Sequence, residues 1–198
     1  MYEGHIYEGL PSGRGRKFFV DSNYYVGEFL NGHPHGKGRM TTPSGNFYEG
    51  DWINGLREGD GLEEFADETY EGKFKENNRN GRGVWSKDGN KYTGIVSSGV
   101  PEGYGVFNWA DGSTYTGDWL KGKPHGKGQM RYKDGSEYEG EFENGQRHGK
   151  GKLITAEGDV FDGNWIHDQK DGEIILSGKE KATVSSIWKQ DKLISVKE

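Results

Sequence analysis

The chain has no cysteine, five prolines and three methionines among its 198 residues. The lack of cysteine excludes disulfide bonds, thiolate zinc sites and thiol catalysis. Hydrophobic residues of all kinds amount to only 30%. No apolar run approaches the ~20 residues that a helix needs to cross a bilayer, and no signal peptide opens the sequence. We therefore expect a cytoplasmic protein with a thin core.

An excess of positive charge is also missing. Lys and Arg number 26 against 32 Asp and Glu, for a net charge of −6, so the composition gives no reason to expect nucleic acid as a partner. Glycine (35 residues) and aromatic residues (13%) are abundant instead. Low apolar content is typical of disorder, but these residues fall on a fixed period, which indicates an ordered chain.

One short phrase recurs from Tyr2 almost to the end of the chain, most clearly from Tyr115 to Gly128. A fixed period is the signature of a repeat array. The array is expected to occupy residues 1–183, and a truncated ninth copy in residues 184–198 is expected to form a half-repeat cap. The opening aromatic returns every 22 or 23 residues, at Tyr2, Tyr25, Tyr48, Tyr70, Tyr92, Tyr115, Tyr138 and Phe161.

Each copy begins with the alternation of a β-strand. A glycine follows two residues after the opening aromatic and a bulky apolar residue two further on, as in Tyr115, Gly117 and Trp119. These three positions share one face of a strand. A Gly-x-Gly pair and a tight turn such as Asp88-Gly89 come next, which is a hairpin signal. The regular glycines indicate that rings of neighbouring hairpins, or a close backbone crossing, need the space.

A single hairpin buries too little surface to fold alone, so its stability must be shared along a stack. We therefore predict an all-β fold. It is an elongated, single-layer, twisted antiparallel meander of about 17 strands, built from eight full hairpin repeats and the half repeat.

The phrase Tyr-x-Gly-x-Trp-x-x-Gly-x-x-x-Gly-x-Gly resembles the MORN (membrane occupation and recognition nexus) repeat, from residue 2 to about 175, with a half copy to 191. The resemblance implies extended, twisted sheets that serve as non-catalytic scaffolds. Several positions depart from the pattern. Asn77 and Asp168 replace a loop glycine, Ile174 and Ser186 replace strand glycines, and the turn at Ala66-Asp67-Glu68 lacks glycine.

Residues that could carry chemistry do not cluster in the sequence. The histidines lie mostly in loops with no periodic nucleophile beside them, so we expect neither an enzyme nor a cofactor. The weak metal candidates are His33 and His35, which would need further ligands from a second chain to complete a tetrahedral site.

Binding of a protein partner is the function we favour. A single sheet with one thin aromatic layer should leave some aromatic side chains exposed along a groove that suits a helix or an extended segment. Pairing with a second copy as a homodimer is also open. Trp85 and Trp109, on second strands, are the aromatics expected to remain partly exposed. The candidate groove residues are Tyr48, Trp52, Trp85, Trp109, Tyr115, Trp119 and Tyr138.

The alternative is a peripheral membrane module that binds anionic phospholipid, such as a phosphoinositide, through a basic stripe. Asp60, Tyr104 and Glu173 interrupt the stripe. On either reading the setting would be a cytoskeletal or membrane-associated assembly. The basic residues lie within successive Gly-x-Gly pairs, at Arg14, Lys37, Arg82, Lys127 and Lys150.

Overall fold

In a computed structural model of the chain, residues 1–179 and 181–197 are described. They form eighteen antiparallel strands of open β-sheet and no helix. The all-β hairpin meander expected from the repeat is thus confirmed. The chain divides into two compact units, Met1–Gly99 and Val100–Glu198, called unit 1 and unit 2 below.

In unit 1 each strand pairs antiparallel with the next along the chain. Its strands are β1 (Tyr2–Tyr7), β2 (Leu10–Phe18), β3 (Tyr24–Leu30), β4 (His33–Thr41), β5 (Phe47–Ile53), β6 (Leu56–Phe65), β7 (Glu68–Lys75), β8 (Asn78–Lys87) and β9 (Asn90–Ser97).

Unit 2 has the same order of pairing. Its strands are β10 (Val100–Asn108), β11 (Thr114–Leu120), β12 (Lys123–Arg131), β13 (Glu137–Glu143), β14 (Gln146–Ile154), β15 (Val160–Ile166), β16 (Gln169–Gly178), β17 (Lys181–Lys189) and β18 (Lys192–Lys197).

The truncated ninth copy differs from the expected half repeat because it forms both strands, β17 and β18, which makes eighteen strands where about 17 were expected. The chain reverses at Gln190 and Asp191, which have φ angles of 49° and 61°, and returns along β17. The described residues of β18 are exposed. The proposed boundary between array and cap, at residues 183 and 184, stays a prediction.

A tyrosine ring lies over a pair of facing glycines in tyrosine-led repeats of both units. Gly27 faces Gly38 across the ladder, and a methyl group on Gly27 would lie 2.5 Å from both Gly38 Cα and Tyr25 Oη. All seven opening tyrosines donate a hydrogen bond to the carbonyl three residues ahead, at 2.7 to 3.1 Å. The expected close backbone approach is present. The ring belongs to the same hairpin, however, and not to a neighbouring one.

In the eighth repeat, which opens with phenylalanine in place of tyrosine, one of the two facing glycines is replaced as well. Phe161 has no hydroxyl group, and the position opposite Gly163 holds Ile174, which is fully buried. In the ninth copy Ser186 Oγ donates to the Ile174 carbonyl at 2.9 Å and accepts from Trp188 Nε1 at 2.8 Å. Where the tyrosine hydroxyl is missing, the larger side chains of Ile174 and Ser186 therefore occupy the glycine positions and are buried there.

The core of each unit is a layer of aromatic rings in edge-to-face contact. In unit 1 the Tyr48 ring meets Trp52 of its own hairpin at 5.1 Å and Phe74 of the next at 4.8 Å. In unit 2 Tyr115 meets Trp119 and Phe142 at 5.2 and 5.1 Å. Each such pair contributes about 0.5–1.5 kcal/mol beyond its buried area. Within each unit, consecutive hairpins thereby share one core.

A second link joins the loops of consecutive hairpins. Where proline is the second residue of a hairpin's second strand, the loop glycine of the next hairpin donates its N–H to the proline carbonyl. Gly32 bonds Pro11 in this way at 2.9 Å, and Gly145 bonds Pro124 at 2.8 Å. Because proline has no backbone N–H, the loop residue needs no side-chain acceptor, and glycine can occupy that position.

Arginine or lysine replaces the proline at four positions, and each brings an extra N–H that needs an acceptor. At Arg79 the next loop keeps glycine, Gly99, but at the other three a side-chain oxygen accepts. Asn77 Oδ1 accepts from the Arg57 N–H at 2.9 Å, and Asp168 Oδ1 accepts from the Arg147 N–H at 2.9 Å. Asp191 does the same for Lys170 at 3.0 Å. The departures Asn77 and Asp168 thus complete contacts between hairpins.

A Gly128→Ala variant tests the fit of ring to glycine. The added methyl group would lie 2.6 Å from Tyr115 Cζ and Cε2, and we expect a loss of about 3 kcal/mol in unfolding free energy from overpacking. The control is Gly112→Ala, where φ is +93° but no atom lies within 4 Å, with an expected loss of about 1 kcal/mol. Equal losses in urea denaturation would contradict the packing argument.

The turn at Ala66-Asp67 is expected to be strained. Both residues have positive φ, 49° and 65°, a region that favours glycine. Asp67→Gly should therefore raise the unfolding free energy by about 1 kcal/mol. The mirror control is Gly89→Asp in the equivalent two-residue turn between β8 and β9, which should lower it by a similar amount. If the denaturation midpoints of both variants shift in the same direction, the Ala66-Asp67 turn is not strained.

Candidate functional site

A cleft of about 780 Å³ lies on the aromatic face of unit 2. Its floor combines the buried rings of Tyr115 and Phe142 with the half-buried side chains of Met130 and Leu153. Side chains at the turns, including Trp109 and Tyr132, form one wall. Pro124, Arg147 and Asp168 contribute from the opposite end of the hairpins. The cleft is an aromatic and apolar surface that remains partly open.

The floor is apolar because of one row of second-strand residues. These residues pair with the opening positions of the next hairpins: Phe107 with Tyr115, Met130 with Tyr138, and Leu153 with Phe161. The matching row in unit 1 contains Lys17 and Glu63. Only unit 2 therefore presents an uninterrupted apolar row.

Hydrogen-bonded turns hold the aromatic wall in place. The N–H groups of Trp109 and Tyr132 donate to the carbonyls of Ser113 and Ser136, both at 2.9 Å. The Trp109 ring also packs on Phe107 at a centroid distance of 4.6 Å. Burial raises the pKa of Tyr132. The wall is thus preorganised, which lowers the entropic cost of binding.

Arg147 closes one end of the cleft without leaving a free positive charge. Its guanidinium lies 4.5 Å from the ring centroid of Trp165 and 5.7 Å from that of Tyr138. Its Nε is 3.2 Å from Asp168 Oδ1. This stacked and paired arrangement supports the aromatic layer beneath it.

The aromatic face of unit 1 carries an ion network instead. Glu63 accepts hydrogen bonds from Arg57 and from Arg79, the latter at 2.7 Å, and Arg79 also donates to Glu68 at 2.5 Å. The Arg79 guanidinium lies 5.0 Å from the Tyr70 ring centroid. Charged side chains therefore cover rings in unit 1. In unit 2, Arg147 covers Tyr138 and Trp165, but Tyr115 and Phe142 border the cleft.

Five of the seven predicted groove residues are core residues and do not form the surface of a groove. They are buried because rings of two hairpins pack on each one; their exposed fractions are 6% or less for Tyr48, Trp52, Tyr115, Trp119 and Tyr138. Trp85 and Trp109 are half-buried. Trp109 and Tyr115 line the cleft of unit 2, while Trp85 lies in unit 1 and bonds Glu68. A binding role for these residues stays a prediction.

The predicted basic stripe lies on the opposite face, where all five of its members are exposed, namely Arg14, Lys37, Arg82, Lys127 and Lys150. Charges of both signs alternate there. Lys37 Nζ is 2.7 Å from Asp51 Oδ1, and Asp60 pairs with Lys73 at 2.8 Å. Although burial alone would raise it, the pKa of Asp51 is lowered by the hydrogen bond from Lys37. In unit 1 the stripe is therefore not a uniform positive field, because Asp51 neutralises Lys37 and Asp60 interrupts the row.

A second groove of about 1480 Å³ follows this opposite face in unit 1. The paired glycines form its floor, because they leave no side chains along the middle of the sheet. Arg14, Lys37, Glu49 and Asp60 are among its lining residues. The mixed charge makes it a weaker candidate than the cleft of unit 2.

The metal candidates gain no further ligands. His35 Nδ1 lies 3.4 Å from the N–H of Asn54, and His33 is exposed. Within residues 1–179 and 181–197, no three His, Cys, Asp or Glu side chains are grouped to hold a metal ion. The same residues include no helix that could cross a membrane.

Sequence reasoning missed Met130, Tyr132, Leu153 and Pro124 as cleft residues. A signal was present in the sequence. The residue two places after the second glycine of Gly-x-Gly is apolar in three successive repeats of the second half, at Phe107, Met130 and Leu153. Tyr132 also stands before Lys133-Asp134-Gly135 as Trp109 stands before Ala110-Asp111-Gly112. Their shared openness depends on the neighbouring rings, which only the packed structure reveals.

Comparison with family models identifies the class of protein. The MORN repeat model matches seven consecutive segments that together cover well over half of the chain, and the chain therefore belongs to the MORN repeat family. The segments are residues 2–24, 25–47, 48–69, 70–91, 92–114, 115–137 and 138–160.

No curated protein sequence matches the chain. Among solved structures, similarity is found to the TCP domain of SAS-4 (dCPAP) of Drosophila melanogaster, in complex with a proline-rich motif of Ana2 (dSTIL). The match covers 75% of this chain and 82% of that chain, with 12% sequence identity and a TM-score of 0.46. A likeness this distant says nothing about function.

The ion network of unit 1 predicts a pH-dependent contribution to stability. Burial alone would raise the pKa of Glu68, but hydrogen bonds from Arg79 and Trp85 outweigh it and hold the pKa below its ordinary value. A carboxylate with a lowered folded-state pKa stabilises fully above its unfolded pKa, and this stability is lost as pH falls through the folded value. The Glu68→Gln variant should have an unfolding free energy about 1 kcal/mol lower than the wild type at neutral pH.

The measurement is urea denaturation of both proteins between about pH 6 and about pH 3. The difference between wild type and Glu68→Gln should shrink towards the acidic end, since Glu68 takes up a proton as pH falls through its lowered folded-state pKa. A difference that stays constant over the range would show that the charge of Glu68 is not involved.

Proposed function

We propose that this MORN-repeat protein is a non-catalytic scaffold or adaptor that binds protein partners through the aromatic face of its repeats. The observation that carries the proposal is the cleft of unit 2, where Trp109, Met130, Tyr132 and Leu153 are all half-buried. Aromatic residues and methionine are enriched at protein interfaces, and open apolar surfaces of this kind mark interaction sites.

The spacing of the cleft suits a helical or extended segment of the partner. Equivalent side chains in successive hairpins are two strands, or about 10 Å, apart. That distance corresponds to three residues of an extended chain or about seven residues of a helix. A segment with apolar side chains at either spacing could place one anchor against each hairpin.

The sheet would act by preorganisation. Edge-to-face rings and hydrogen-bonded turns fix the cleft before a partner arrives, so little conformational entropy is lost in the protein on binding. No chemical step on a substrate is part of the proposal. Family membership supports this non-catalytic reading, since MORN repeats are binding modules in general. The family resemblance likewise supports a cytoplasmic setting in a cytoskeletal or membrane-associated assembly.

Two further partners remain predictions. Anionic phospholipid could meet the basic stripe of Arg14, Lys37, Arg82, Lys127 and Lys150, but the pairing of Lys37 with Asp51 weakens the field there. A homodimer remains open through the strand edge of β18, where Leu193, Ile194 and Val196 are exposed. We favour the aromatic cleft because Trp109, Met130, Tyr132 and Leu153 remain partly exposed in it.

A pair of tryptophan variants tests the proposal. Trp109→Ala removes a wall of the cleft, and Trp85→Ala removes a tryptophan of similar burial in unit 1 that lies outside it. Partners captured from native cell extract by the immobilised protein should be lost from Trp109→Ala, with at least about a tenfold drop in affinity. Trp85→Ala should retain them. Quantitative mass spectrometry of the captured proteins gives the comparison.

The same partners retained by both variants would exclude the cleft as their site. Circular dichroism melts of each variant control for loss of fold. A triple variant, Lys37→Glu, Lys127→Glu and Lys150→Glu, separates the lipid alternative. Its sedimentation with anionic liposomes should fall if the basic stripe binds lipid, whereas capture by the cleft should survive.

A further inference from the structure

We propose that the cleft of unit 2 selects partner segments that carry lysine or arginine beside their apolar anchors. This inference rests on the proposed function and specifies the chemistry of the partner. It follows from the distribution of charge around an apolar floor, which differs between the two walls of the cleft.

The turn wall is acidic. Asp134 and Glu157 both line the cleft and belong to successive turns, those between β12 and β13 and between β14 and β15. Neither makes an ion pair with any residue in 1–179 or 181–197. Lys133, which lies between Tyr132 and Asp134, does not line the cleft. Two carboxylates therefore stand without a cationic partner beside exposed parts of Trp109 and Tyr132.

The geometry of the turn holds Asp134 in place and keeps it charged. Its Oδ1 accepts hydrogen bonds from Ser136 Oγ at 2.6 Å and from the Ser136 N–H at 2.9 Å. These bonds from the Ser136 side chain and backbone lower the pKa of Asp134. Both bonds use Oδ1, so the acceptor capacity of Oδ2 remains for a ligand.

The far wall does not compensate for this charge. Arg147 is the one cation among the lining residues of the cleft, and it is bound to Asp168 through both its Nε and a terminal nitrogen. The lining charges are thus three acidic groups against one basic group that is already paired. The cleft has a net negative charge, and a basic segment is its electrostatic complement.

The apolar floor and the acidic wall of the cleft lie side by side, so the complementary ligand is amphipathic. Met130 and Leu153 belong to the hairpins whose turns carry Asp134 and Glu157, so each apolar position has a carboxylate at its edge. The two carboxylates are two strands, or about 10 Å, apart along the sheet. A bound segment would match this arrangement with two apolar anchors, each followed by a cation on the same side.

The test uses charge-neutral variants that preserve the turns. In Asp134→Asn the amide oxygen can still accept from Ser136, so the turn is kept while the charge is removed. Glu157→Gln is its companion. The matched control is Asp88→Asn, which removes a charge from an exposed turn of unit 1 that is remote from the cleft in sequence.

The probe is a random library of displayed peptides of about 16 residues, long enough to cross the cleft in extended form. Peptides are selected on the wild-type protein, and those that also bind Trp109→Ala are removed. We expect the remaining peptides to be enriched in lysine and arginine next to Leu, Met or aromatic residues. Selection on the Asp134→Asn/Glu157→Gln protein should lose this enrichment.

Affinity of one synthetic peptide from the selection then gives the size of the effect. Two exposed pairs should together contribute about a fivefold difference in Kd. The double variant should bind about fivefold more weakly, and its affinity should depend less on salt between about 50 and about 500 mM. Asp88→Asn should bind like the wild type.

The outcomes separate this inference from the proposed function. Peptides that depend on Trp109 but show no basic enrichment, or that bind the double variant as tightly as wild type, would overturn the inference and leave the proposed function standing. A selection that yields no Trp109-dependent peptide would count against both. Basic, Trp109-dependent peptides weakened by the double variant would support both.

Discussion

The contact between a tyrosine ring and a pair of facing glycines governs this structure. Each opening tyrosine folds back over its own hairpin and donates to a carbonyl three residues ahead, as Tyr25 does to Glu28. The ring can reach that position only where neither strand has a side chain, as at Gly27 and Gly38. The ring then meets the bulky residue of the next hairpin, as Tyr25 meets Trp52 at 5.4 Å. The glycines thus allow a single sheet to build its core.

The repeats are consequently coupled in pairs and cannot vary independently. Loss of the hydroxyl at Phe161 coincides with Ile174 in the opposite glycine position. Loss of proline at Arg57 coincides with Asn77 in the following loop, which satisfies the new N–H. Stability in such arrays is a sum of repeat and interface terms. These compensations keep the interface terms favourable even where the repeat pattern is broken.

The same scaffold supports two different surfaces. In unit 1, Glu63 enters the row that faces the opening tyrosines and organises Arg57 and Arg79 over the rings. In unit 2 that row holds Met130 and Leu153, and the rings border an open cleft. A substitution at one repeated position therefore changes a covered face into a candidate binding face without altering the ladder. This freedom is what a repeat scaffold offers for partner recognition.

The sequence by itself determined the hairpin period, the strand alternation and the glycine register, because these are local and repeat along the chain. It also indicated Trp109 as a surface aromatic. Only the tertiary structure decided which aromatics are buried: Tyr48 and Tyr138 are covered by rings from the next hairpin, more than 20 residues away. It also decided that Gln190 and Asp191 turn the last copy into a full hairpin, and that Asp134 lies beside Tyr132 at an open cleft. Exposure depends on what packs from the neighbouring repeat, and no single repeat encodes that.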